Sequence, residues 1–222
     1  MPFFNFIQVA DTYDAYYETS LGCQIDHVEK QLIWRYMIRM SLKKTMLEIG
    51  CGTGHWTSFF RQKGLKISAI DLLEKMLEKA KKKNPENVHF EQMSVEDMRF
   101  KDHAFENIIA IATLEFVDNL DRAFKEIYRV LKPGGVLIVG CLNELSEMGR
   151  NKEKNEIYRI AHFFKPEEIK EYLSEFGSPE INGCAIIEKD RVLDYPDIDQ
   201  IVKSIRLKKG AFLTGFVKKS ET

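Results

Sequence analysis

The sequence predicts an α/β fold: a doubly wound, mostly parallel sheet of seven strands with an antiparallel last strand and an N-terminal helical cover. Three observations predict it. From Thr45 onward, short apolar runs alternate with amphipathic helical stretches, the pattern of βαβ units with helices on both faces of a sheet. The first apolar run leads straight into a glycine-rich turn, and the second ends in an aspartate, as in nucleotide-binding open sheets. The 222 residues, 44% of them hydrophobic, suit one full domain with a buried core.

The elements follow in order. Residues 1–44 read as helical, with Ile25, Val28, Leu32, Tyr36 and Met40 on one face. Strands are expected at Thr45–Ile49, Lys66–Ile70, Val88–Glu91, Asn107–Ala112 and Val136–Cys141. Between them, Leu73, Met76, Leu77 and Ala80 form one helical stripe. Leu120, Ala123, Phe124, Ile127, Val130 and Leu131 form a longer one. Lys132-Pro133-Gly134-Gly135 stops that helix and turns the chain into the fifth strand. A further helix starts at Pro166, a favoured first-turn position, and carries Ile169, Tyr172, Leu173 and Phe176 inward. Two late apolar runs, Glu180–Ile187 and Ala211–Lys218, are expected to pair antiparallel at the sheet edge. The chain thus divides into a cover (1–44), a core (45–142), a lid or substrate segment (143–165) and a closing helix with strands (166–222), all in one domain. Asn143–His162 lacks clean periodicity and follows a strand's C-terminal end, where open α/β sheets place their ligands.

Charge excludes some functions. Lysine plus arginine total 33 and aspartate plus glutamate 34, a net charge of −1. A dedicated nucleic-acid binder needs a basic face, so none is expected among the partners. The run Lys79–Lys83 reads as a solvated helix terminus beside the negative end of the dipole. No apolar stretch approaches the roughly 20 residues of a membrane span, and Met1–Phe6 carries no basic leader. Cys23, Cys51, Cys141 and Cys184 are scattered, as expected of reduced thiols in a cytoplasmic protein, and the five histidines form no i, i+4 pair, so no metal is expected.

The strongest local signal is Leu47-Glu48-Ile49-Gly50-Cys51-Gly52-Thr53-Gly54. Glycines let the backbone turn sharply and let a ligand approach without a Cβ in the way. The helix that follows offers free N–H groups and a positive dipole end, suited to an anionic group such as a pyrophosphate or a carboxylate. A tight strand–helix turn would use the same residues. Asp71 narrows the choice: about twenty residues beyond the turn, at the tip of the second strand, it is placed to accept hydrogen bonds from ribose hydroxyls. Its bland role, a helix N-cap, does not exclude that one. Together they imply an adenosine-containing ligand. Gly50, Gly52 and Gly54 are spaced two apart, unlike the dinucleotide G-x-G-x-x-G, which disfavours a nicotinamide-dependent oxidoreductase.

At this point the chain resembles the class I S-adenosylmethionine-dependent methyltransferases. The E-x-G-C-G-T-G turn is similar to their first motif, and Asp71 to their ribose-binding acid. Met93-Ser94-Val95-Glu96-Asp97-Met98 resembles their adenine-contacting loop, and Thr113-Leu114-Glu115-Phe116-Val117-Asp118 their fourth motif. Arg129-Val130-Leu131-Lys132-Pro133-Gly134-Gly135 is similar to the signature before their fifth strand. The resemblance runs from about Ile7 to Lys219. Ala10-Asp11-Thr12-Tyr13-Asp14-Ala15-Tyr16-Tyr17 is similar to the lead-in of the small-molecule branch that includes ubiquinone/menaquinone-biosynthesis enzymes.

The resemblance implies a Rossmann-like methyltransferase fold and S-adenosylmethionine as cofactor. The turn from Gly50 through Cys51, Gly52 and Thr53 to Gly54 would face its methionine part, with Glu48 near the ammonium. Asp71 would hold the ribose, Leu72 and Met76 would lie against the adenosine, and Ser94, Val95 and Glu96 would border the adenine. Ala112 or Thr113 would offer backbone carbonyls to the ammonium. Two departures stand out: Ser94 replaces a frequent acidic residue, and Phe116 replaces a common histidine, so that position supplies no base. The acceptor is expected to be a small molecule. Candidates for acid–base work are His162, Glu115 and Tyr17, with Tyr16, Asn143, Arg150 and Tyr158 near the same pocket, and with Arg150 and Lys152 as candidates to recognise an acidic acceptor. A non-catalytic cofactor-binding module is the other reading that the motifs allow.

Overall fold

Alternate residues of each central strand point to opposite faces of the sheet, and this parity divides the apolar core into two layers. The computed structural model describes residues 10–84, 86–188, 191–194 and 197–221. Helices α1 (Ala15–Glu18) and α2 (Ser20–Arg39) precede β1 (Thr45–Ile49), α3 (His55–Gln62), β2 (Lys66–Asp71), α4 (Glu74–Lys83), β3 (Val88–Gln92) and β4 (Phe105–Ile111). A 3₁₀ turn at Leu114–Phe116 leads to α5 (Leu120–Val130), β5 (Leu131–Leu142), α6 (Glu147–Arg150), α7 (Pro166–Ser174) and β6 (Glu180–Cys184). The ribbon β7 (Ile187–Glu188) and β8 (Arg191–Val192), then α8 (Asp197–Gln200) and α9 (Lys203–Lys209), come before β9 (Phe212–Lys218).

The seven-stranded sheet has the order β3-β2-β1-β4-β5-β9-β6. Neighbours from β3 to β5 are parallel, and β9 runs antiparallel to both β5 and β6. This is the Rossmann-like methyltransferase fold. On one face Met46, Ile67, Ala69, Ile109 and Ile111 meet Val28 and Leu32 of α2, Phe60 of α3 and Leu77 of α4. On the other, Leu47, Ile49, Ile108, Ala110, Leu137 and Val139 meet Phe124 and Ile127 of α5 and Ile169 and Leu173 of α7. Each fully buried side chain of this size contributes about 1.5–3 kcal/mol. The parallel order brings the C-terminal ends of β1, β2 and β4 side by side, which is where the glycine turn emerges.

Several boundaries differ from the expected ones, each for a local reason. The cover is not one helix: Thr19 is extended, its hydroxyl accepts the Gly22 N–H, and α2 starts afresh at Ser20. Residues 1–9 lie outside the described residues. Helix α5 ends at Val130, and Leu131 already pairs with Phe105 in the sheet. The Lys132–Gly135 stretch then forms an irregularity in the ladder, with Gly134 at φ +71°. Ala112 leaves β4 because its φ is +48°, the left-handed region.

The expected lid is tethered at its start. Asn143 is buried and its side-chain amide donates to the carbonyls of Leu207 and Gly210. Gly149 sits inside α6, where a Cβ would overlap the backbone oxygens of Asn143 and Glu144, so close packing requires glycine there. Among the described residues no helix is long and apolar enough to cross a membrane.

Candidate active site

The three glycines of the turn do different work. All lie in the left-handed region, with φ of +67°, +52° and +81° for Gly50, Gly52 and Gly54. The N–H groups of Gly50 and Cys51 donate to the Ile70 carbonyl at 2.8 and 3.0 Å, pinning the turn to β2. A Cβ on Gly50 would overlap the Thr113 side chain, and one on Gly54 would stand 2.7 Å from Asn84 Nδ2. A Cβ on Gly52 would meet nothing within 4 Å. Gly50 and Gly54 therefore serve packing, and only Gly52 presents bare backbone to open space.

That space is a cavity at the ends of β1 and β4, walled by Tyr13, Tyr17, Glu48, Ile49, the turn from Gly50 to Thr53, His55, Trp56, Ile111 and Ala112. Glu48 is 3% exposed, and its Oε2 has no hydrogen-bond partner. Burial pushes its carboxyl up to about 8. The neighbouring Thr57 hydroxyl, also buried, pulls it partly back down. An orphaned buried carboxylate costs stability unless a ligand completes it. Thr113 Oγ1 lies within hydrogen-bonding distance of the carbonyls of Ile49, Gly50 and Ile111, which binds the β4 tip to the turn.

Along the β2 edge, Asp71 accepts the Gly52 N–H at 2.8 Å and the Leu73 N–H at 2.9 Å. Burial raises its carboxyl above the usual range, and these backbone N–H groups pull it back. Leu72 is 60% exposed at this edge, whereas Met76 and Val95 are buried. Ser94 Oγ accepts the Glu96 N–H. The Glu96 carboxylate accepts the N–H groups of Asp118 and Asn119 at 3.1 Å each, both on Oε1.

An N-terminal strap crosses the turn. Asp11 pairs with Lys75 and Lys79 at 2.9 and 3.0 Å, and Asp14 pairs with Lys83 at 2.8 Å. These lysines are spaced four apart on one face of α4. The expectation of a merely solvated Lys79–Lys83 run is thus corrected: its first and last members fasten the strap. Tyr17 stacks on His55 with ring centroids 3.6 Å apart. His55 Nε2 lies 2.7 Å from Asp26 Oδ1, and Asp26 in turn pairs with Lys30.

Comparison with known proteins gives this geometry a family. A family model described as a methyltransferase domain matches residues 47–139. The chain is 29% identical over 221 residues to an uncharacterized protein of Methanocaldococcus jannaschii, covering 96% of this chain and 95% of that one. It is 28% identical over 169 residues to a malonyl-[acyl-carrier protein] O-methyltransferase of Hamiltonella defensa, covering 74% of this chain and 62% of the relative. A solved S-adenosylmethionine-dependent methyltransferase of Thermotoga maritima, described as a possible histamine N-methyltransferase, superposes with a TM-score of 0.78 at 26% identity. That match covers 97% of this chain and 98% of the other. The chain is a class I S-adenosylmethionine-dependent methyltransferase.

The residues of this methyltransferase fit its cofactor. Gly52 leaves a cradle that a side chain would fill, and the free oxygen of Glu48 is an acceptor suited to an ammonium. The expected acid–base candidates separate. Glu115, on the 3₁₀ turn after Thr113, is 2% exposed; its Oε1 accepts the Leu142 N–H at 2.7 Å and its Oε2 has no partner. Burial pushes its carboxyl up to about 7. Tyr17 lines the cavity, and burial holds its phenol well above the usual range, so it stays neutral and can donate. His162 does not join them: its side chain is 46% exposed and bonds Glu168 Oε1 at 2.7 Å. Only its backbone N–H reaches the site's frame, donating to the Glu115 carbonyl. Asn143 is structural, and the Arg150 guanidinium is taken by the Leu145 carbonyl. Lys152 sits over the Phe163 ring. Tyr16 is packed edge-on against Tyr17, and Tyr158 against Phe163.

Sequence reasoning missed Asp14, Asp26 and His55 as contributors. Asp14 stood in the quoted lead-in, and only the i, i+4, i+8 spacing of Lys75, Lys79 and Lys83 hinted at a partner.

Proposed function

We propose that this methyltransferase transfers the methyl group of S-adenosylmethionine to a small-molecule acceptor held between the strap and the β4 tip. The observation that carries the reading is the partnerless buried oxygen of Glu48 beside the open side of Gly52. Glu48 would take the cofactor's ammonium, together with backbone carbonyls at Ala112 or Thr113. Asp71 would accept from the ribose, and Leu72 and Met76 would cover the adenosine. Ser94, Val95 and Glu96 would border the adenine, where no acidic side chain stands in place of Ser94. The cofactor supplies an electrophilic methyl group when bound; the protein's share is to orient it and exclude water.

The lead-in from Ala10 to Tyr17 supports a place in the small-molecule branch. Relatives' names span oxygen and carbon acceptors, from malonyl-[acyl-carrier protein] to a sterol, and the chain spans only 62% of the former's length. We take residues 1–44 as cover, 45–142 as core, 143–165 as substrate segment and 166–222 as closing unit of one domain, acting in the cytoplasm. Calorimetric titration with S-adenosylmethionine, S-adenosylhomocysteine and NADH tests the reading. The first two should bind and NADH should not; binding of NADH alone would overturn it.

A further inference from the structure

We infer that His55 binds the α-carboxylate of the cofactor's methionine end, and so separates S-adenosylmethionine from its decarboxylated form. The inference rests on the cofactor reading above and adds a specificity-determining residue to the same site. His55 opens α3 directly after Gly54 and lines the cavity together with Glu48 and Trp56. Its Nε2 lies 2.7 Å from Asp26 Oδ1 and 2.7 Å from Lys30 Nζ, and Lys30 Nζ lies 2.7 Å from Asp26 Oδ2. The side chains of His55, Asp26 and Lys30 are only 22%, 15% and 18% exposed, so these contacts are shielded from water. Lys30 Nζ also stands over the Trp56 and Phe59 rings, 5.5 and 5.7 Å from their centroids, which fixes it further.

This trio decides where the ring proton sits. A lysine ammonium has only protons to offer, so a hydrogen bond from Lys30 uses the Nε2 lone pair and leaves the ring proton on Nδ1. If instead both nitrogens are protonated, Nε2 donates to Asp26 and Nδ1 again carries a proton. A proton on Nε2 alone would leave an N–H group facing an ammonium 2.7 Å away, the costly arrangement. Nδ1 is therefore a donor, and with Nε2 engaged it is the ring nitrogen left for a ligand. Tyr17 lies flat on the imidazole, centroids 3.6 Å apart and planes 5° from parallel. The strap thus holds the ring's orientation and keeps water from one face.

The two ends of the glycine turn together match a zwitterion. At the end of β1, Glu48 keeps a buried oxygen without a partner, an acceptor for an ammonium. At the start of α3, the His55 ring supplies a donor where the positive end of the helix dipole also favours an anion. An α-amino acid carries its ammonium and its carboxylate on one carbon, and Glu48 and His55 open on one cavity. Gly52, between them, presents no Cβ that would keep such a group out.

The test is calorimetry on the full chain with S-adenosylmethionine, decarboxylated S-adenosylmethionine and methylthioadenosine. The decarboxylated compound keeps the ammonium for Glu48 and lacks only the carboxylate. Wild type should bind S-adenosylmethionine about tenfold or more tighter than the decarboxylated form. His55→Phe keeps a ring against Tyr17 without its nitrogens, and should bring the two affinities to within about twofold of each other. His55→Asn sets an amide N–H near the Nδ1 position and should restore much of the ratio. Asp26→Asn should lower the ratio by a smaller factor, since Lys30 remains beside Nε2. A merely structural loss would weaken both compounds alike and leave their ratio unmoved. Nitrogen NMR of the wild-type histidines needs no variant to fold: one Nδ1 resonance should move with S-adenosylhomocysteine and stay in place with methylthioadenosine. Equal binding of the two compounds by wild type, or an unchanged ratio in His55→Phe, would overturn the inference and leave the cofactor reading standing. If none of the three compounds bound the wild type, the cofactor reading would fall and this inference with it.

Discussion

Thr53 donates its hydroxyl proton to Asp14 Oδ1 across 2.6 Å, and that contact ties the N-terminal strap to the turn that forms the cavity floor. Asp14 also holds Lys83, so one carboxylate joins strap, turn and α4. A hydrogen bond to a charged group contributes about 1.5–3 kcal/mol. Asp14→Ala should therefore weaken S-adenosylhomocysteine about tenfold in calorimetry, with far-UV circular dichroism unchanged. Unchanged affinity would detach the strap from binding.

The glycines should separate by phenotype. Gly52→Val leaves packing untouched, because nothing lies within 4 Å of the new Cβ, but it fills the cradle. Some melting temperature is lost to its left-handed φ, about 1–2 kcal/mol. Cofactor binding should vanish while the protein stays folded. Gly50→Ala instead drives a methyl into Thr113 and should cost more stability. Wild-type affinity in Gly52→Val would sink the cradle assignment.

The sheet was readable from the sequence because each strand of the core combines apolar runs with turn residues at both ends. Its seven strands, the antiparallel edge and the helix at Pro166 all follow from that pattern. The division of labour among the glycines was not readable, since spacing says nothing about what a Cβ would meet. Thr113 and Asn84, which dictate Gly50 and Gly54, lie 63 and 30 residues away in sequence. His162 reads like a lid base, yet Glu168, one helix turn into α7, captures it.

Glu48 makes stability depend on pH. Its folded-state carboxyl is raised from 4.5 to about 8, so the folded protein holds a proton that the unfolded chain releases. The associated stability is present in full below about pH 4.5 and is lost as pH rises through about 8. Glu115, raised to about 7, acts in the same direction. The melting temperature of the ligand-free protein should fall between pH 5 and pH 8.5, and Glu48→Gln should flatten much of that slope. An identical slope in Glu48→Gln would mean that Glu48 is not held as a buried acid.

The last prediction concerns what moves. The cofactor must enter and then be shielded from bulk water, so part of the cover has to open. The beginning of the expected lid is an unsuitable moving part: Asn143, Ser146 and Gly149 are buried, and Asn143 is bonded to the carbonyls of Leu207 and Gly210. Beyond Asn151 the chain runs through two single 3₁₀ turns, Lys152–Lys154 and Tyr158–Ile160, with mostly exposed residues. The strap, Asp11–Glu18, is likewise held by exposed ion pairs that salt screens. Hydrogen exchange should be fast in these two segments without ligand and slow on adding S-adenosylhomocysteine, with the strap slowing less at high salt. Amides of Asn143–Arg150, β1 and β4 should be protected in both states. If exchange at 143–150 responded to ligand as strongly as at 151–160, the opening would run through α6, and the tether at Asn143 would not be the fixed end of the cover.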